Sequence, residues 1–243
     1  MKKILIINLR RLGDVYSTAH LINSLTVSEQ TEITLLTYKE SEKAAKNLNN
    51  VKNIITIDRQ ELITITTNKL FTGAFALERF VNSLKCVKDE QWDSIVNFSN
   101  DSVGSYICSY LQSSTESTVG IHFNENRNIV TSSMWEIIFN DVLTNVVCSP
   151  MHFIDCYHRM LHIPYCENGK KLITNPEHDQ TAAENIMQIR AEFSDGNPNN
   201  KIIGIQLATS SETKNIPESV LIDFIKLIRQ SNEFTPLLFI AFV

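Results

Sequence analysis

Two short stretches of this chain combine reactive residue types with a position where chemistry is usually done. The first is Asn8-Leu9-Arg10-Arg11-Leu12-Gly13-Asp14-Val15. An apolar run over Lys3–Asn8 ends there in polar residues, and Asp14 stands where a helical pattern begins. A carboxylate so placed can take a proton from a hydroxyl as a general base, and a helix N-terminus favours its ionised form. The same spacing fits a plainer reading, with Asp14 a helix cap and Gly13 the turn residue. No GxGxxG fingerprint is present, which argues against a nicotinamide site. The second stretch is Gln206-Leu207-Ala208-Thr209-Ser210-Ser211-Glu212-Thr213-Lys214-Asn215-Ile216-Pro217. Hydroxyls, backbone N–H groups and a helix opened by Pro217 make a phosphate cradle, to which Lys214 adds a point charge. An ordinary capped loop with Lys214 in solvent fits as well. Two such loops, each heading its own α/β unit, suggest a cleft with a phosphate on one side and a carboxylate on the other.

Holding these loops requires strands that end where they begin, and the apolar pattern supplies them. Lys3–Asn8, Glu32–Tyr38, Asn53–Asp58, Ser94–Ser99 and Ser117–Phe123 read as strands. Val15–Leu25, Glu40–Leu48, Ala76–Lys88 and Val103–Leu111 carry helical spacing between them. Strands alternating with helices mean βαβ units and a parallel sheet, whose ligands sit beyond the carboxyl ends of the strands. From Thr131 to Ile163 the pattern is purely helical, and a further helix follows over Glu177–Phe193 with Ala182, Ile186 and Ile189 on one face. The turn-rich Asp195–Asn200 segment is the expected linker. Beyond it the rhythm restarts, with a strand at Lys201–Ala208, a helix at Pro217–Arg229 and a strand at Pro236–Val243. One β–α–β unit cannot bury a sheet by itself, so the second domain is expected to be incomplete.

Composition excludes several classes. The 243 residues are 43% hydrophobic and 20% charged, a globular balance. Their 22 basic against 27 acidic residues give a net charge of −5, which is not the basic footprint of a nucleic-acid binder. The longest apolar run, Pro236–Val243, is far short of a membrane span. Asn8, Arg10 and Arg11 cut the N-terminal apolar stretch too short for a signal peptide, so a cytoplasmic location is expected. Five cysteines without a CxxC pair read as reduced thiols. His20, His122, His152, His158, His162 and His178 show no metal spacing beyond the i, i+4 pair His158/His162, which reads as packing or solvent exposure. Trp92 and Trp135 read as packing anchors.

The segment KKILIINLRRLGDVYSTAHLINSL resembles the opening of the heptosyltransferase-type enzymes of glycosyltransferase family 9, a strand and a polar loop ending Leu-Gly-Asp-Val before a helix. EITLLTYKESEKAAKNLNNVKNIITID is similar to that family's second strand, helix and third strand. His152–Tyr157 through Ile163-Pro164 resembles the long helix that closes its first domain. Thr209–Pro217 resembles its phosphate loop, although Asn215-Ile216 stands where the family has a polar residue and tryptophan, and Leu207-Ala208 where it has proline-glycine.

The resemblance implies an α/β protein of GT-B architecture, with two Rossmann-like domains, parallel sheets and the second domain incomplete. Its parts would be an acceptor-side domain over 1–175, a linker helix and loop over 176–200, and a partial nucleotide-sugar domain over 201–243. It implies inverting transfer of a heptose or related sugar from an ADP-activated donor to a lipopolysaccharide core or lipid A-type acceptor at the cytoplasmic face of the inner membrane. Asp14 would be the base. Thr209, Ser210 and Lys214 would hold the donor diphosphate, and Arg10, Arg11 and Gly13 would face the acceptor. No metal or other cofactor and no nucleic acid is implied. A nucleotide-sugar epimerase of the same architecture and an inactive sugar-binding fragment are the alternatives. The later acidic and glycine-rich nucleotide contacts of that family would fall beyond Val243.

Overall fold

The computed structural model describes residues 1–28, 30–68, 73–112, 117–131, 133–144, 151–193, 200–207, 215–231 and 233–239. Contacts divide it into two compact units, Met1–Ile173 and Thr174–Val243. In the first unit, β1 (Lys2–Ile7) leads through α1 (Leu12–Tyr16) and α2 (Ala19–Ser28) to β2 (Thr31–Tyr38). Then come α3 (Glu42–Lys46), β3 (Val51–Ile57), α4 (Arg59–Thr67), α5 (Gly73–Ser83), α6 (Lys85–Lys88) and β4 (Ser94–Asn97). After α7 (Ser102–Leu111) and β5 (Thr118–Val119), the hairpin β6 (His122–Phe123) and β7 (Ile129–Val130) precedes α8 (Met134–Thr144) and α9 (Phe153–Met160). The central sheet has the order β3-β2-β1-β4-β5, and every pairing in it is parallel.

Strand β1 explains the two-sided core. Its residues Ile4, Leu5, Ile6 and Ile7 are all buried, as in a strand covered on both faces. Side chains alternate across the sheet. Ile4 and Ile6 pack with Leu21, Ile22, Ala45 and Tyr157 from α2, α3 and α9. Leu5 and Ile7 pack on the other face with Leu84, Val87, Ile107 and Leu111 from α5–α7 and their junctions.

Two expected elements are built differently here, and one element was not expected. The Val15–Leu25 helix is broken at Ser17-Thr18, whose hydroxyls bond back to Gly13 O and Val15 O and compete with the helical ladder. The strand expected over Ser117–Phe123 splits at Gly120, which has φ +98° and ends the pairing with β4. Strand pattern alone gave no sign of α4, whose only buried residue is Ile65.

The second unit holds α10 (Pro176–Phe193), β8 (Lys201–Gln206), α11 (Glu218–Gln230) and β9 (Phe234–Phe239). Strands β8 and β9 pair in parallel from Lys201↔Phe234 to Gln206↔Phe239. No residue of α10 is buried, including the expected apolar positions Ala182, Ile186 and Ile189.

Candidate functional site

In the first sheet the strand order reverses between β1 and β4. The loops leaving the carboxyl ends of these neighbours face each other across the point where open α/β sheets bind ligands. Residues 8–11 form one loop and 98–101 the other. They are pinned together, since Phe98 N donates to Ile7 O at 2.8 Å and Leu9 N donates to Ser99 Oγ at 2.9 Å.

Asn8 organises the first loop from below. It is fully buried, its Nδ2 donates to Asp14 O at 3.2 Å, and its Oδ1 accepts from Arg10 N at 3.2 Å. This brings Arg10 Nε to 3.3 Å from Asp14 Oδ2, with the two side chains 30% and 21% exposed. The Nε atom is buried and not aligned for a hydrogen bond, so the contact is an ion pair only. Among the described residues, Arg10 is the sole ion-pair partner of the Asp14 carboxylate. Asp14 is therefore an accessible carboxylate held by one cation and a fixed backbone.

The plainer sequence reading of this loop does not hold in detail. The helix begins at Leu12 with Arg11 as its N-cap, and Asp14 is the third residue of its first turn. Gly13 is inside the helix, not at a turn, and a Cβ built on it meets nothing within 4 Å. Its face is open to a ligand.

Beneath the loop lies Tyr157 of α9, 1% exposed, with its ring 3.9 Å from that of Phe98 and 5.2 Å from that of Phe139. Burial pushes its phenol up, and the Asp14 charge adds to the shift. That coupling puts the Tyr157 hydroxyl in the field of the Asp14–Arg10 pair.

Beside the pair, the ends of β1, β2 and β3 enclose a pocket of about 320 Å³ lined by Arg10, Arg11, Tyr38, Glu40, Ser41 and Arg59, among others. Three guanidiniums against two carboxylates, Glu40 and the Asp14 that pairs with Arg10, suit an anion. Arg59 opens α4, behind the N-cap Asp58 whose side chain accepts from Glu61 N at 2.9 Å. Its guanidinium lies 5.5 Å from the centre of the Tyr38 ring. The sequence gives no sign that Ser99 and Tyr157 belong to the site, and it places Asn8 in the loop without a role. For Arg59 the one sign is its place directly after the third strand, where ligand-facing loops begin.

Thr209, Ser210 and Lys214, the expected donor-phosphate residues, lie outside the described residues. Their frame is described. Leu207 N donates to Phe239 O at 3.1 Å, and α11 starts at Glu218. Pro217 is the N-cap of that helix, not a residue of its first turn. Elsewhere, Trp92 is buried and donates from Nε1 to Val87 O, a packing role as expected. His162 lies outside α9 with φ +56°, so His158 and His162 do not share a helix face. Among the described residues, no group of three His, Cys, Asp or Glu side chains could hold a metal ion. None of the described helices is long and apolar enough to cross a membrane.

No family model matches the sequence, and no curated protein matches it. Solved structures do match in fold. The glycosyl transferase family 9 protein from Veillonella parvula aligns over 98% of this chain with a TM-score of 0.63 and 15% identity. ADP-heptose lipopolysaccharide heptosyltransferase II of E. coli aligns over 98% at 0.57 and 11%. E. coli heptosyltransferase WaaC, solved with ADP-2-deoxy-2-fluoro heptose, aligns over 99% at 0.53 and 12%. This chain spans 62%, 64% and 69% of those three proteins respectively. Its α/β fold matches that of the family 9 glycosyltransferase and of the two heptosyltransferases over nearly its whole length.

Proposed function

We propose that this chain carries the acceptor side and part of the donor side of an inverting glycosyltransferase. One observation carries the reading: an accessible carboxylate, Asp14, held beside a guanidinium-lined pocket at the switch point of a glycosyltransferase fold. In the proposed reaction an acceptor hydroxyl attacks the anomeric carbon of a nucleotide-activated sugar. Asp14 takes the hydroxyl proton as the new C–O bond forms, and the bond to the diphosphate breaks on the opposite face. Negative charge then grows on the leaving diphosphate, where Thr209, Ser210 and Lys214 would stabilise it. Arg10, Arg11 and Arg59 would hold an anionic group of the acceptor, and the open face of Gly13 lets the acceptor approach the helix backbone.

The finer reading is a heptose moved from ADP-heptose to a lipopolysaccharide core at the cytoplasmic membrane surface, with no metal. It is supported by the names of the structural neighbours and by the Leu-Gly-Asp-Val loop. The test is to incubate the protein with ADP-heptose, then with other ADP- and UDP-sugars, in the presence of deacylated lipopolysaccharide core. Mass spectrometry should find acceptor heavier by one sugar, made from the ADP donor and not the UDP donors, and unaffected by EDTA. Transfer from UDP-sugars alone would overturn the donor, and release of an isomerised sugar without transfer would overturn the reaction class.

A further inference from the structure

Arg10 serves two places at once. It lines the arginine pocket together with Arg11, Glu40, Ser41 and Arg59, and among the described residues it is also the sole ion-pair partner of Asp14. Its backbone is held on both sides, since Arg10 N donates to Asn8 Oδ1 at 3.2 Å and Arg10 O accepts from Ser41 Oγ at 3.3 Å. Only the side chain is left to choose between the carboxylate and the pocket.

The pair with Asp14 is loose. Arg10 Nε stands 3.3 Å from Asp14 Oδ2, makes no hydrogen bond there, and is buried with no other acceptor. The side chain as a whole is 30% exposed, so the open part of Arg10 is not Nε. A guanidinium carries five N–H groups in a rigid fork, so one edge can face a carboxylate while another faces an oxyanion. Three guanidiniums lining one pocket repel one another, and an oxyanion among them relieves that repulsion.

Charge balance ties the base to the pocket. When Asp14 takes the proton of the acceptor hydroxyl, the O–H electron pair goes into the new C–O bond and the carboxylate becomes neutral. Arg10 is then a cation with a buried nitrogen and no counter-charge at Asp14. An oxyanion in the pocket can take over that role. We propose that Arg10 is a shared counter-ion, paired with Asp14 before the proton moves and with an oxyanion of the acceptor afterwards. Arg10 is thereby a positioning residue, and the anion it meets speeds the proton step as well as aiding binding. The acceptor and the proton step rest on the transferase reading above; the coupling between the Asp14 charge and the pocket does not.

The test is a double-mutant cycle on anion binding, with inorganic phosphate as the probe at fixed pH and ionic strength. Asp14→Asn has the size of the side chain after it has taken the proton, and it carries no charge. It should bind phosphate about three- to tenfold more tightly than the wild type, because Arg10 is released to the pocket. In an Arg10→Ala background the same substitution should change the affinity by less than about twofold. The Arg10 Nε signal in ¹⁵N NMR should shift further with phosphate in Asp14→Asn than in the wild type, a readout that needs no change at Arg10. In the transfer assay Arg10→Ala should lower kcat about tenfold besides raising the acceptor KM. The proposal is overturned if Asp14→Asn binds phosphate like the wild type. It is overturned too if the gain is as large without Arg10, since that would be plain loss of a nearby negative charge. A change in KM alone for Arg10→Ala would also count against it. If the coupling is present but no nucleotide sugar supports transfer, the transferase reading fails and the shared counter-ion stands.

Discussion

Replacing Gly120 with alanine tests how the site is braced. Gly120 has φ +98°, where an L-residue costs about 1–3 kcal/mol. A Cβ there would lie 2.4 Å from Asn97 O and 3.1 Å from Asn97 C, which are backbone atoms at the end of the interior strand β4. They cannot swing aside like a side chain, so overpacking adds about 1–3 kcal/mol. Together the two effects amount to roughly 2–6 kcal/mol. For a unit of this size each kcal/mol lowers Tm by about 2–4 °C. Function should fall with stability, because Asn97 Oδ1 accepts from Ser99 N and Ser99 Oγ accepts from Leu9 N, the start of the Asp14 loop. The assay is urea unfolding followed by circular dichroism, beside Gly13→Ala as a control. Gly13 is helical with open space around it, so its substitution should leave stability unchanged or raise it by about 0.5–1 kcal/mol. A Gly120→Ala loss below about 0.5 kcal/mol would refute the reasoning, since it would mean the β4–β5 joint yields freely.

Other outcomes follow from the same geometry. Burial holds His20 and His158 below their ordinary 6.5, opposed in part by backbone hydrogen bonds and less by Asp155, while Lys170 lowers His20 further and His20 lowers His158. The folded state keeps both neutral while the unfolded chain protonates near 6.5, so stability present at pH 7.5 is lost as pH falls toward 5.5. Urea midpoints should show this drop, and His20→Gln should flatten it. Arg59→Ala should raise the KM for an anionic acceptor about tenfold and weaken its salt dependence, with donor KM unchanged; steady-state kinetics at two ionic strengths checks it. Exposed Cys86 should react with a thiol reagent in the native protein well before Cys108 and Cys156, which are buried and whose thiols burial pushes up. Comparison with Cys86→Ser assigns the fast phase.

The inner strands of the sheet were legible because they are buried on both faces and so read as short continuous apolar runs, KILII and EITLLTY above all. The β8–α11–β9 restart was legible from the apolar runs of its strands, although Ile205 and Thr235 are their only buried residues. Elements that owe their existence to single contacts were not. The β6–β7 strands have two residues each and carry no periodicity. The split at Gly120 depends on a carbonyl 23 positions earlier in the chain, which no local pattern announces. At the site, Arg10, Gly13 and Asp14 could be picked out because a strand end and a glycine mark them. Asn8 stood at the head of that loop with no role of its own, yet it is the side chain that sets the loop's shape.

The central claim is that Asp14 removes the acceptor proton. The direct measurement is the single-turnover rate of sugar transfer at saturating donor and acceptor, for the wild type and for Asp14→Asn, which keeps the size of the side chain and removes its basicity. The account predicts a fall of about 10²–10⁴-fold with both binding affinities retained. A rate within about threefold of wild type would contradict it, for a general base contributes far more than that.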